Sequence, residues 1–348
     1  KIMLKNRWKL LLNYCIGWII ALCILAIVRG MGTTELGSLK FDFWSSILII
    51  PALGPFLGLA SGLTQIYTED RVYKRISMQR FLLLRLLYTV IFILFMTISS
   101  FMIYDFFFKL EVDWKGFVFG EGVLAVIFYL LLIDLLFSVF RQLDLMLGEG
   151  NLRKILLGEF YTPRAEERIF MFLDLKSSTS LAEKLGHIRY SMLLQDCFND
   201  LGVVNEHQAE IYQYVGDEAV LSWPIEPGLV KQNCIRAFFR FKDQLSKREA
   251  YYQKNFACSP IFKAALHLGE VTATEVGKYK REIAYHGDPL NTAARIQGKC
   301  NELGQELLIS QELKERLDDD NFQFKEMGSE LLRGKAEAVA IFGVSRIT

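Results

Sequence analysis

The stretch RIFMFLDLKSSTSLAEKLG, residues 168–186, reads as a buried strand that carries one acid to a polar turn and on into a helix. Ile169 to Leu173 is an unbroken apolar run rich in β-formers, the pattern of a strand covered on both faces. Asp174 sits where that strand ends. Lys176–Ser180 is polar, and Leu181-Ala182-x-x-Leu185 then keeps helical spacing up to a stop at Gly186. An Asp at a strand end is ordinarily a turn residue or a helix cap. A buried strand delivering one acid to such a turn is also how a fold presents a metal ligand to phosphates.

A second stretch gives this carboxylate a neighbour. In IYQYVGDEAVLSW, residues 211–223, two β-rich runs flank Gly216-Asp217, the signature of a tight two-residue hairpin. If that hairpin pairs beside the first strand, Asp217 comes close to Asp174. Two neighbouring carboxylates repel unless a divalent cation lies between them, and the pair outlines a two-metal phosphoryl-transfer site. In a third stretch, GDPLNTAARIQ (residues 287–297), Asp288 suits a helix N-cap and Pro289 the first helical position. Asn291 and Arg295 are then four apart on one face, at a helix N-terminus that favours phosphate. Alone, this third stretch reads as a capped helix with a solvated Arg.

FLDLKSST, then YVGDE about forty residues later, then GDPLNTAAR resemble, in order, the catalytic domain of class III nucleotidyl cyclases, over roughly Glu166 to Val344. The resemblance implies an α+β, ferredoxin-like domain, which the predicted alternation of strands, helices and hairpins also suits, among them a helix over 228–255 and strands over 261–268 and 271–276. It implies that Asp174, Asp217 and the backbone carbonyl of Leu175 hold two divalent cations, Mg²⁺ or Mn²⁺. It further implies that Ser177, Ser178 and Thr179 form the phosphate-side turn, that Asn291 orients the ribose, and that Arg295 stabilises charge on the transferring phosphate. Leu332-Arg333-Gly334-Lys335 resembles the family's basic segment for the terminal phosphates, with Arg333 at the usual Lys position and Lys335 as a nearby substitute. The implied enzyme is a homodimer. The metal acids come from one subunit and Asn291, Arg295 and Arg333 from the other. It converts a nucleoside triphosphate to a cyclic nucleotide and pyrophosphate.

The sequence departs from the family pattern at the base. Gln213 stands where adenylyl cyclases usually carry Lys, Ala284 where they carry Asp or Thr, and the Glu and Cys usual in guanylyl cyclases are absent too. Ser177-Ser178 replaces a common Gly-Phe. ATP is the preferred substrate; a guanylate cyclase and a catalytically silent nucleotide-binding receptor are the alternatives.

The rest of the chain supplies a membrane domain. Apolar residues make up 52% of the 348, and nearly all the excess lies before residue 141. Four apolar stretches, about 10–28, 43–67, 81–104 and 117–140, are each long enough to cross a bilayer. Lys1, Lys5, Arg7 and Lys9 precede the first, but its apolar core is too long for a signal peptide and no A-x-A-like cleavage site follows. The chain opens on Lys1 rather than Met, which leaves room for residues upstream. Arg71, Lys74, Arg75 and Arg80 lie between the second and third spans, and Arg141, Arg153 and Lys154 follow the fourth. These basic residues predict a multi-pass inner-membrane protein with its N-terminus and catalytic domain in the cytoplasm. Pro51, Gly54, Pro55, Gly58 and Gly62 are expected to kink the second span and let another helix approach closely. Asp134, a lone charge in the fourth span, reads as a polar contact between helices or as a sensing site. Arg85, near a helix end, is expected to snorkel.

The predicted organisation is a transmembrane domain over 1–140, a linker over 141–166 and a cyclase domain over 167–348. The linker is a passive tether or a coupling helix. A net charge of +1 gives no support for a nucleic-acid partner. Six cysteines without CxxC spacing argue for reduced thiols rather than a disulfide framework or zinc site. The absence of an intramembrane charge array argues against a transporter.

Overall fold

The computed structural model describes residues 2–30, 43–71, 77–108, 114–115, 119, 121–148, 150–318, 321–331 and 338–347. The chain divides into two compact units, Met3–Leu143 and Asp144–Thr348. In the first, α1 (Ile2–Gly30), α2 (Phe43–Arg71), α3 (Met78–Phe108) and α4 (Glu121–Leu147) correspond to the four expected spans. All four are long and apolar enough to cross a membrane. The expected start of the fourth span at 117 lies outside the described residues.

The glycines of α2 mark where α1 crosses it. A Cβ on Gly54 would lie 2.6 Å from Ile19 Cγ1, and one on Gly58 only 2.4 Å from Cys15 Cα. Helix α2 stays continuous through Pro51 and Pro55. One expectation for this unit is corrected: Arg85 does not snorkel but is 1% exposed. Asp134 makes the polar contact between helices that is one of its two readings, and Arg85 is its partner. Arg85 Nε donates to Asp134 Oδ2 at 2.9 Å and Nη2 to Oδ1 at 2.7 Å. Thr89 donates to Oδ2 at 2.6 Å, and Ser61 also donates to Asp134. A guanidinium has no low-cost neutral form, so inside an apolar bundle it takes a carboxylate partner or reaches out to water. Here the partner is within reach on α4.

The second unit starts with α5 (Asn151–Leu156), separated from α4 by a break in which Gly148 and Gly150 take φ of 91° and 87°. The order then runs β1 (Arg164–Leu175), α6 (Ser178–Leu185), α7 (His187–Leu201), β2 (Glu210–Val215), β3 (Glu218–Pro224), α8 (Ile225–Leu229), α9 (Asn233–Lys247) and α10 (Glu249–Phe256). It continues through β4 (Phe262–Val276), β5 (Glu282–His286), α11 (Asp288–Gly298), β6 (Leu307–Ser310), α12 (Gln311–Lys314), β7 (Phe322–Glu330) and β8 (Val339–Arg346). The sheet has the order β2-β3-β1-β4-β6-β8-β7, with β5 paired to β4. Only β4 and β6 pair in parallel among the described strands.

β1 is central and covered on both faces, as its apolar run predicts. Ile169, Met171, Leu173 and Leu175 enter the larger core, with residues of α7 and α9. Phe170 and Phe172 enter a smaller cluster on the other face, with Ala293 and Leu290 of α11. By alternation Asp174 lies on the α11 face. Two strands expected at 261–268 and 271–276 are instead the single strand β4, because β1 pairs with it without interruption from Arg164↔Ala273 to Leu175↔Phe262. The helix expected over 228–255 is broken, since Lys231 and Gln232 take left-handed φ of 53° and 57° and Arg248 separates α9 from α10.

Candidate active site

β3 lies beside β1 in antiparallel register, with Asp174 opposite Glu218. The β2–β3 hairpin turns at Gly216-Asp217, where Gly216 takes a φ of 62° with open space around it. The hairpin therefore brings Asp217 next to Asp174, as the sequence predicts. On the other side of β1, Lys263 of β4 is the direct cross-strand partner of Asp174. Its Nζ lies 3.2 Å from Asp174 Oδ2. Gln297 Nε2, from α11, donates to the same oxygen at 3.1 Å.

These neighbours set the electrostatics. Burial pushes the Asp174 carboxyl above its ordinary value, the Lys263 hydrogen bond and charge pull it back, and the charge of Asp217 pushes it up again. Glu218 is raised by burial and by the charges of Asp174 and Asp217. Tyr190 of α7, raised chiefly by burial, feels Asp217 and hydrogen-bonds Ser178. Such crowding of negative charge at one edge of a sheet is what a divalent cation relieves. Asp174 and Asp217 are hard oxygen donors that suit Mg²⁺ or Mn²⁺. No group of three or more metal-type side chains occurs among the described residues. Leu175 ends β1 with its side chain in the core, so its carbonyl is all it can offer.

Ser177 adopts φ 60° and ψ 33° just before α6. This left-handed position is the one where the family commonly has Gly, so the departure read from the sequence falls on a backbone conformation that glycine adopts without strain. Ser178 and Thr179 open α6.

On α11, Pro289, Thr292, Ala293, Ile296 and Gln297 are buried, while Asn291 is exposed and Arg295 half-buried. Arg295 Nη1 is buried with no hydrogen-bond partner among the described residues. Asp288 is not the N-cap: Gly287 holds that place, and Asp288, in the first turn, accepts from Thr292 at 3.1 Å. Gln213 lies on the α11 face because a bulge between Ile211 and Gln213 shifts the β2 register. The bulged Tyr212 packs on Tyr285 with ring centroids 5.0 Å apart. Ala284 is half-buried on β5 opposite Thr274. Arg333 and Lys335 lie outside the described residues. Lys263 and Gln297 were missed by sequence reading. Lys263 carries a signal, a basic residue on the apolar strand that pairs with β1, but only the register reveals its partner.

The model of the adenylate and guanylate cyclase catalytic domain matches residues 160–343. Adenylate cyclase 2 of Rhizobium meliloti (strain 1021) is 35% identical over 202 residues, covering 58% of this chain and 56% of that protein. The chain thus spans little more than half the length of this relative. Two structures of a bacterial light-regulated adenylyl cyclase share the fold. One has a TM-score of 0.56 at 20% identity, covering 66% of this chain and 67% of that one. The other has a TM-score of 0.54 at 18% identity, covering 65% of each. The chain belongs to the family of the adenylate and guanylate cyclase catalytic domain.

Proposed function

We propose that this protein is a membrane-anchored adenylate cyclase that converts ATP to 3′,5′-cyclic AMP and pyrophosphate at a homodimer interface. The observation that carries this reading is the placement of Asp174 beside Asp217, at the turn into α6, with Asn291 exposed on α11 and Arg295 Nη1 left without a partner among the described residues. Gln297, not Asn291, reaches the Asp174 of its own chain. Asn291 and Arg295 are thus available to a second subunit's nucleotide, one to fix the ribose and one to stabilise charge on the α-phosphate as its bond to pyrophosphate breaks.

Asp174 and Asp217 would hold the divalent cations, which supply acidification of the 3′-hydroxyl and neutralisation of the triphosphate when bound. Ser177, Ser178 and Thr179 present the start of α6 to phosphate. Gln213 is exposed on the face that α11 shares, and its amide can both donate and accept, so it can read either purine. The adenylate cyclase relative favours ATP. The four apolar helices and the basic residues that flank them support the reading of an inner-membrane protein with its catalytic domain in the cytoplasm.

The test is product analysis of the purified chain with Mn²⁺ and ATP or GTP in parallel. Cyclic AMP from ATP is the expected product. Cyclic GMP alone would overturn the substrate, and no product from either would overturn the activity. Co-expression of Asp174→Ala with Arg295→Ala should restore activity that neither variant has; failure to do so would reject a shared site.

A further inference from the structure

Polar residues in the first unit cluster between two ion pairs. One is Arg85–Asp134, described above. The other joins Arg141 of α4 to Glu69 of α2, Nε to Oε1 at 3.0 Å and Nη2 to Oε2 at 3.3 Å. Along α4, Ser138 and Gln142 follow Asp134 at intervals of one helical turn, and along α2, Gln65 follows Ser61 in the same way. From α1, the Tyr14 hydroxyl is near enough to feel the charges of Arg85, Asp134, Glu69 and Arg141 together. All four helices contribute to this section of the bundle.

Much of its hydrogen-bonding capacity is unused. Tyr14 Oη, Gln65 Oε1, Arg85 Nη1, Ser138 Oγ and both amide atoms of Gln142 are buried without a partner among the described residues. Gln65, Ser138 and Gln142 are 0% exposed, Arg85 1% and Tyr14 7%. Within a hydrocarbon layer an unpaired polar group is costly, and polar groups there that face the bundle interior mark sites for substrates, ions or ligands.

We propose that the bundle interior between these two ion pairs is a binding site for a small neutral molecule whose head carries carbonyl-type hydrogen-bond acceptors. The two cations and two anions that bracket the section balance, so a charged ligand would bring an uncompensated charge into an apolar bundle. Arg85 Nη1 and Gln142 Nε2 are obligate donors, Gln65 Oε1 and Gln142 Oε1 obligate acceptors, and the Tyr14 and Ser138 hydroxyls can serve as either. Only the guanidinium nitrogen of Arg85 among these offers a charge-assisted hydrogen bond, the strongest of the set, and it selects an acceptor-bearing head. The apolar outer surface of the helices makes the lipid phase its natural route of entry.

The test uses the full chain in lipid nanodiscs of synthetic phosphatidylcholine, with a short-chain benzoquinone as the carbonyl probe and thermal unfolding as readout. The expected result is a saturable rise in melting temperature in the wild type that Gln142→Leu largely removes. That substitution leaves both ion pairs in place. Should it fail to assemble, Ser138→Ala, which deletes only a hydroxyl, gives the same comparison. No shift in the wild type would overturn the proposal and leave water as the occupant. An equal shift in wild type and variant would also overturn it, by placing the probe's effect in the bilayer.

Discussion

Lys263 and Asp174 stand directly opposite one another on β4 and β1, with Nζ 3.2 Å from Oδ2. The carboxylate proposed to hold metal therefore has the ammonium of Lys263 beside it. Asp174 is raised by burial and lowered by Lys263, so the folded protein takes up a proton on Asp174 above the ordinary Asp value of about 3.9. The cost of ionising it is fully present above the raised folded value and is relieved as pH falls through that value. Metal competes with the proton, so Mn²⁺ affinity should begin to fall at a pH above the ordinary carboxylate range. In Lys263→Met this fall should begin at still higher pH. Calorimetric Mn²⁺ titration across pH tests this, and a pH profile unchanged in Lys263→Met would refute the role of Lys263.

Gln297 ties α11 to the same carboxylate oxygen. A hydrogen bond to a charged group contributes about 1.5 kcal/mol, roughly a tenfold effect on an equilibrium. Gln297→Ala should therefore raise the apparent Mn²⁺ constant roughly tenfold, with a smaller change in kcat. A loss confined to kcat would instead place Gln297 on the nucleotide side.

Ser177 occupies a left-handed conformation that costs a non-glycine residue about 1–2 kcal/mol. Glycine avoids that strain but adds chain entropy to the unfolded state, so Ser177→Gly should stabilise the protein by about 0.5 kcal/mol. Ser177→Val, β-branched at the same φ, should destabilise it. Thermal unfolding of the two variants decides, and equal stabilities would argue against the left-handed turn.

Gly58 allows α1 and α2 to touch backbone to backbone, with Cys15 Cα 2.4 Å from where a Cβ would sit. Gly58→Ala must push the helices apart and should lower the yield of folded protein from membranes. Gly202→Ala, where a Cβ meets nothing within 4 Å, should be tolerated. Equal yields would dismiss the close crossing.

Removing Asp134 alone strands the Arg85 guanidinium, at a cost of about 3–5 kcal/mol. The paired replacement Arg85→Leu with Asp134→Leu should recover much of that loss. Thermal unfolding in nanodiscs gives the comparison, and a double variant no better than the single one would show that the pair is not the source of the cost.

How legible each part was follows from the range of the interactions that specify it. The buried strand at 169–173, the hairpin at Gly216-Asp217 and the four apolar stretches are local patterns of apolar residues and turn formers; the strand and the hairpin appear where the sequence puts them, and each apolar stretch coincides with a long apolar helix. The ferredoxin-like cyclase domain was legible from three short motifs, because phosphate chemistry restricts which residues can stand at those spacings. The helix expected over 228–255 failed because two left-handed residues and one kink interrupt a continuous amphipathic pattern, and periodicity does not report φ.

Sequence alone thus determined the family, the two acids that meet at the end of β1 and the four helices long and apolar enough to cross a membrane, all of which are written in contiguous residues. Tertiary structure alone decided that Asp174 meets Lys263 and Gln297, 89 and 123 residues away, and that Arg85 meets Asp134, 49 residues away. Those pairings depend on strand register and helix crossing, which are set by packing across the whole unit and leave no trace in local sequence.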